Sequence, residues 1–155
     1  MIKKPNNMKR MMIAAAAALL FPCFSAHAGG IITDSMKSGI LGSEVKYNVY
    51  LPDGYEKSGK QYPVIYLLHG LTDDYRAWDI KGGLRTVADE LIRTGESREV
   101  VIIMPNAGGE DFHNVWNGYF NMPGWNYEDF FFNEFLPTVE EKYRIVGDKG
   151  HRAVM

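Results

Sequence analysis

Apolar and polar positions alternate from Ser43 to Leu51: Val45, Tyr47, Val49 and Leu51 are interleaved with Glu44, Lys46, Asn48 and Tyr50. Period two with β-branched and aromatic residues predicts a strand with one wet face. Pro52-Asp53-Gly54 predicts a turn, because proline pre-sets φ and glycine accepts the left-handed region. Tyr62 to His69 has another texture. Val64 to Leu68 is apolar without a break, as expected of a strand buried on both faces. Leu84, Val87, Ala88, Leu91 and Ile92 fall at i, i+3, i+4, i+7 and i+8, one stripe of an amphipathic helix that Gly95 is placed to end. Val100 to Met104 predicts a second interior strand, stopped by Pro105. A long loop spans Asn106 to Trp125. Asn126 with Asp129 three residues on then resembles a capping box, opening a helix that would bury Phe131, Phe132, Phe135, Leu136, Val139 and Tyr143 and kink at Pro137. Gly147 to Gly150 turn the chain into a last strand, His151 to Met155. Strands alternating with helices predict an α/β domain, a largely parallel sheet flanked by helices.

The first 28 residues have a different character. Lys3, Lys4, Lys9 and Arg10 precede an apolar run, Met11 to Phe21, then Pro22 and the small-residue end Ala26-His27-Ala28. That order is the one of a secretory signal peptide cut after Ala28. The apolar run is about half the ~20 residues of a membrane span, so no permanent span is expected. Pro22 stands where a lipoprotein site at Cys23 would need a small residue. Export would place the mature chain, 29–155, in the periplasm or outside the cell, without the single cysteine and hence without disulfides.

Of 155 residues, 46% are apolar and 23% charged, a globular composition sufficient for one domain. Without the four leader cations, the 17 basic residues fall to 13 against 19 acidic ones. A body of that sign lacks the basic footprint of a nucleic-acid partner. One cysteine and four histidines give no Cys-rich metal site.

In open α/β sheets, ligands sit beyond the carboxyl ends of strands. Two loops qualify. His69-Gly70-Leu71 leaves a buried strand, and an exposed amide there can donate to a developing oxyanion; a plain glycine turn beside a packed histidine is the competing reading. Between Phe112 and Phe135 lie ten of the chain's 20 aromatics. Those from Phe130 onward fall on the predicted helix and belong to a core. Phe112, Trp116, Tyr119, Phe120 and Trp125 follow no helical period. They either wall an apolar or sugar-binding cleft or pack on one another as a lid.

Tyr47-Asn48-Val49-Tyr50-Leu51-Pro52 followed by Tyr62 to Gly70 resembles the esterase branch of the α/β-hydrolases, with its formylglutathione hydrolases, feruloyl and acetylxylan esterases and mycolyltransferases. Asp73-Asp74-Tyr75 with Trp78-Asp79-Ile80, then Ile103-Met104-Pro105, then Glu134 to Tyr143, match that branch in order. The resemblance covers Val45 to Met155. It implies an α/β-hydrolase fold and a serine esterase without metal or organic cofactor, acting on a small or polysaccharide-linked carboxylic ester. It also implies an oxyanion donor at the Leu71 amide, presented by His69 and Gly70. Independently of the resemblance, Trp78, Phe112, Trp116, Tyr119 and Trp125 are the candidate residues of a substrate cleft. Acyl transfer within the same fold and a carbohydrate-binding module using residues 112–125 are the competing functions.

The nucleophile elbow G-x-S-x-G is absent. Ser35, Ser38, Ser43, Ser58 and Ser97 stand in turns or polar stretches without the flanking glycines. His69, His113 and His151 do not match the family's base. The expectation is therefore an incomplete domain, 29–155, ending before the elbow, inactive alone and prone to aggregate.

Overall fold

The computed structural model describes residues 29–108 and 118–155. Strand β4 (Val101–Pro105) is buried at every position, as its unbroken apolar run predicts. β2 (Glu44–Leu51) pairs antiparallel with it on one side and β3 (Val64–Tyr66) parallel on the other. β1 (Gly30–Lys37) adds antiparallel outside β2, and β7 (Arg152–Val154) adds parallel outside β3, giving the order β1-β2-β4-β3-β7. The sheet is thus mixed. Its parallel half is the part legible from the α/β alternation. β1 was not: Ile31 and Ile32 are adjacent rather than alternating, as suits an edge strand with little to bury. Ser35, expected in a turn or polar stretch, lies within this strand.

Alternate residues of each strand face different helical layers. Val45, Tyr47, Val49, Val64, Tyr66, Val101 and Ile103 pack against Phe130, Phe131, Phe135, Val139 and Tyr143. On the opposite face Tyr50, Ile102 and Met104 pack against Ala88, Leu84 and Ile92 of α3 (Leu84–Arg93), which follows the single turns α1 (Tyr55–Ser58) and α2 (Ala77–Ile80) in the chain. The wet face expected of β2 is therefore confined to its first half. Asn48 and Tyr50 are buried, and their polar atoms are satisfied: Thr33 Oγ donates to Asn48 Oδ1 at 2.7 Å and the Tyr50 hydroxyl to Asp89 Oδ1 at 2.8 Å.

The aromatic helix runs as α4 (Tyr127–Phe130), a π-helical turn over Phe131–Phe135, and α5 (Leu136–Lys142). Pro137 has no N–H for the carbonyl four residues back, and the widened turn lies directly before it; the expected kink takes this form. The widened turn leaves Phe132 60% exposed rather than in the core. The cap differs as well. Asn126 makes no side-chain cap bond; Asn121 Oδ1 accepts the Asp129 N–H at 3.1 Å. A short hairpin of β5 (Asn121–Met122) and β6 (Trp125–Asn126) delivers Asn121 there. Glu134, on the π turn, holds the β1–β2 connection through the Ser38 hydroxyl at 2.5 Å and the N–H groups of Gly39 and Ile40 at 3.1 and 3.2 Å.

Two polar ties should be measurable. Glu140 accepts from Arg152 (2.5 and 2.6 Å) and from the Tyr66 hydroxyl (3.1 Å), joining α5 to β7 and β3. Glu140→Ala leaves two buried or half-buried donors unpaired and should cost about 2–4 kcal/mol by chemical denaturation; Glu140→Gln should cost less. Asp34 on β1 accepts from Lys142 at 2.5 Å, from Tyr47 at 3.0 Å and from the Tyr143 hydroxyl. Burial works to raise its carboxyl, but these bonds and the Ser35 N–H outweigh it and hold the group well below the usual carboxylate range. The neighbouring Tyr47 hydroxyl is pushed up to about 12, by burial and then by Asp34. A depressed acid stabilises the fold above its unfolded pKa and loses that contribution as pH falls toward the folded one. The stability gap between the unaltered chain and Asp34→Asn should be full above about pH 5 and shrink progressively as pH falls below about 4, in denaturation series across pH.

Candidate functional site

Beyond Tyr66 the chain stays tied to its neighbours: the Leu67 N–H donates to Ile103 O and the Leu68 N–H to Met155 O, both at 2.8 Å. His69 follows at the carboxyl end of β3, and Ala107 stands two residues past the end of β4. The Ala107 N–H donates to His69 Nε2 at 3.0 Å. Because Nε2 accepts, the ring proton lies on Nδ1, which donates to Gly70 O at 2.9 Å. Both ring nitrogens are thereby engaged, and the imidazole works as a strut between two strand ends. The His69 backbone is held as well. Its N–H donates to the Tyr119 hydroxyl at 2.7 Å, and that hydroxyl donates to the His69 carbonyl at 3.1 Å.

The strut presents a tight turn. Asp73 N–H donates to Gly70 O at 3.1 Å, with Leu71 and Thr72 between them. Thr72 has φ +66°, whereas Leu71 is not in the positive region; this is the type II pattern. The left-handed position is Thr72 rather than Gly70, at which a side chain would find room, with only Asp73 Oδ2 at 3.9 Å. A β-branched residue there carries about 1–3 kcal/mol of strain. Among the described residues nothing accepts a hydrogen bond from the N–H of Leu71, a residue 68% exposed. An unpaired donor on a pinned turn is available to a negatively charged oxygen.

A cleft of about 250 Å³ lies beside this turn, lined by His69, Gly70, Asp73, Ala77, Trp78, Lys81 and Gly82. Trp78 is set by its indole N–H donating to Leu68 O at 2.9 Å. Lys81 pairs with Asp73 at its edge. Asp74 is bridged by Arg76 at 2.6 Å, whose hydrogen bonds hold the carboxyl below its ordinary range against the opposing effect of burial.

Of the aromatic residues singled out from sequence, Trp78 lines this cleft and Tyr119 stands behind His69. Trp125 stacks on Tyr127, centroids 6.0 Å apart, partly packed on the core. Phe112, Trp116 and His113 lie outside the described residues. Among the described residues no group of three or more His, Cys, Asp or Glu side chains could hold a metal ion, and no helix is long and apolar enough to cross a membrane. Spacing could not reveal the Tyr119 clamp: the two partners are 50 residues apart, and a tyrosine in an aperiodic loop carries no signal of its target.

Residues 38–155 match the family model described as "Putative esterase". An endo-1,4-beta-xylanase/feruloyl esterase of Xylanibacter ruminicola is 33% identical over 111 residues, 69% of this chain and 15% of the relative. A diacylglycerol acyltransferase/mycolyltransferase Ag85B of Mycobacterium avium is 30% identical over 124 residues, 70% of this chain and 33% of the relative. A solved ferulic acid esterase superposes with a TM-score of 0.78 at 47% identity, covering 82% of this chain and 47% of that one. The chain thus spans about half the length of this solved relative and a smaller share of the curated ones.

Tyr119→Phe removes both bonds to the His69 backbone and leaves that N–H and carbonyl facing an apolar ring. Stability should fall by about 1–3 kcal/mol in chemical denaturation, with faster hydrogen exchange at the His69 amide.

Proposed function

Since the chain belongs to the esterase family of the α/β-hydrolases, we propose that it supplies the oxyanion loop of an exported serine carboxylic ester hydrolase. The carrying observation is the free Leu71 N–H on a turn held from behind by His69 and Tyr119. When a serine oxygen bonds to an ester carbonyl carbon, the C=O pair moves onto oxygen. A donor already aimed at that oxygen needs no reorganisation as the charge appears, which is why one such bond contributes about 10²–10³ in kcat.

The nucleophile, acid and base belong, in this reading, to the remainder of the domain. Support comes from the absence of G-x-S-x-G in the 155 residues and from the 47% span of the ferulic acid esterase. The same relative and the xylanase/feruloyl esterase favour hydroxycinnamoyl esters of plant cell-wall sugars as substrate, with the Trp78 indole beside the cleft as a flat apolar wall. Acyl transfer to a sugar is the second reading, favoured by the mycolyltransferase relative. Residues 1–28 serve as the export signal.

The 155-residue chain alone should neither turn over methyl ferulate nor be labelled by a serine-directed fluorophosphonate. The reading frame beyond Met155 should encode G-x-S-x-G, and the extended product should do both. In that product Leu71→Pro deletes the donor at a turn position where proline is compatible, so kcat should drop by about 10²–10³ with KM little changed. Labelling of a serine within the 155 residues, or full kcat in Leu71→Pro, would overturn the assignment.

A further inference from the structure

Gly29, just before β1, is buried and enclosed by oxygen. A side-chain carbon built on it would meet Asp89 Oδ1 first, then the Tyr50 hydroxyl at 2.9 Å and the Leu51 carbonyl oxygen at 3.0 Å. The three nearest neighbours are all hydrogen-bond acceptors. A side-chain carbon there would have to displace Asp89 and the Tyr50 hydroxyl. A nitrogen, about 1.5 Å from Cα in the same tetrahedral arrangement, needs only a small shift, because N–H···O distances are shorter than carbon–oxygen contacts. Asp89, on α3, receives the Tyr50 hydroxyl at 2.8 Å and has no cationic partner among the described residues. Burial, then the negative charge of Asp89, raises the Tyr50 hydroxyl well above the ordinary phenol range. Carboxylate, phenol and carbonyl converge on one point without a positive charge to balance them.

We propose that hydrolysis of the Ala28–Gly29 peptide bond during export creates that charge. Water supplies the new Ala28 carboxylate and the protons of a Gly29 α-ammonium. Freed of its peptide bond, the nitrogen rotates about Cα–C into the oxygen seat, pairs with Asp89 and donates to Tyr50 and to the Leu51 carbonyl. In the uncut chain the same nitrogen has one hydrogen and no charge, so processing and consolidation of the fold are one event. The inference rests on residues 1–28 being a signal peptide, which the Ala26-His27-Ala28 ending supports. It also assigns glycine a role at the cut site: a larger residue at 29 would push the Asp89 carboxylate out of the seat.

The full chain, exported from a bacterial host, is tested by intact mass and N-terminal sequencing, expected to begin at Gly29. The α-amine of that product is then acetylated with an N-hydroxysuccinimide ester near its ordinary pKa of about 8. A seated ammonium should react at least tenfold more slowly in the folded than in the unfolded chain. Asp89→Asn should abolish the protection and lower the melting temperature. A chain released from a tag with one extra serine before Gly29 should show the same lower melting temperature, and Asp89→Asn should lower it no further. Should Asp89→Asn fail to fold, Tyr50→Phe and the serine-extended chain carry the comparison. A mature terminus elsewhere would overturn the processing reading itself. A Gly29 terminus that labels at the unfolded rate, or an equal effect of Asp89→Asn with and without the extra serine, would overturn the seat alone.

Discussion

Everything in this fold is arranged around a strand that gives up water on both faces. β4 has no exposed position, so its backbone groups must find partners along both edges and its side chains must find cover above and below. β2 and β3 answer the first demand; α3 and the aromatic helix answer the second. The position of the site follows. Because β3 and β4 run parallel side by side, their carboxyl ends emerge together, and one imidazole can bridge from His69 to the Ala107 amide. The turn bearing Leu71 is thereby mounted on two buried strands at once.

The aromatic helix covers its face with rings that meet mainly edge to face or tilted, such as Tyr47 against Phe135 at 5.1 Å and Tyr66 against Phe131 at 5.4 Å. Polar tips on this layer are tied down rather than excluded. Tyr66 reaches Glu140, while Tyr47 and Tyr143 reach Asp34. Tyrosine therefore lets one residue fill the core and anchor a charged group at its margin, and the two ties join α5 to both outer strands of the sheet.

The parts of this architecture governed by periodicity were legible in the sequence. β4, the apolar run at Val64 to Leu68, α3 and most of the aromatic helix rest on burial patterns that repeat every two or 3.6 residues. What escaped was governed by partners distant in the chain. β1 has little to bury and so no pattern; the second face of β2 looked wet because Asn48 and Tyr50 are polar residues satisfied by Thr33 and Asp89. Phe132 left the core because the π turn before Pro137 shifts the helical phase. The cap passed from Asn126 to Asn121 because a hairpin, invisible to local spacing, brought the latter close. At the site, His69-Gly70-Leu71 was legible as a turn after a buried strand. Its left-handed residue was not, since threonine is the last type one would place at Thr72.

Tyr119 stands beside the exposed Phe120 in an aperiodic loop, yet its hydroxyl grips the backbone of His69 from behind. One hydroxyl of this loop is thus a bracket for the turn that bears Leu71. Exchanging this loop for one without the tyrosine would loosen the turn even if every residue of the turn itself were kept. Diversification here should proceed by substitutions that leave the bracket in place, not by wholesale exchange of the loop.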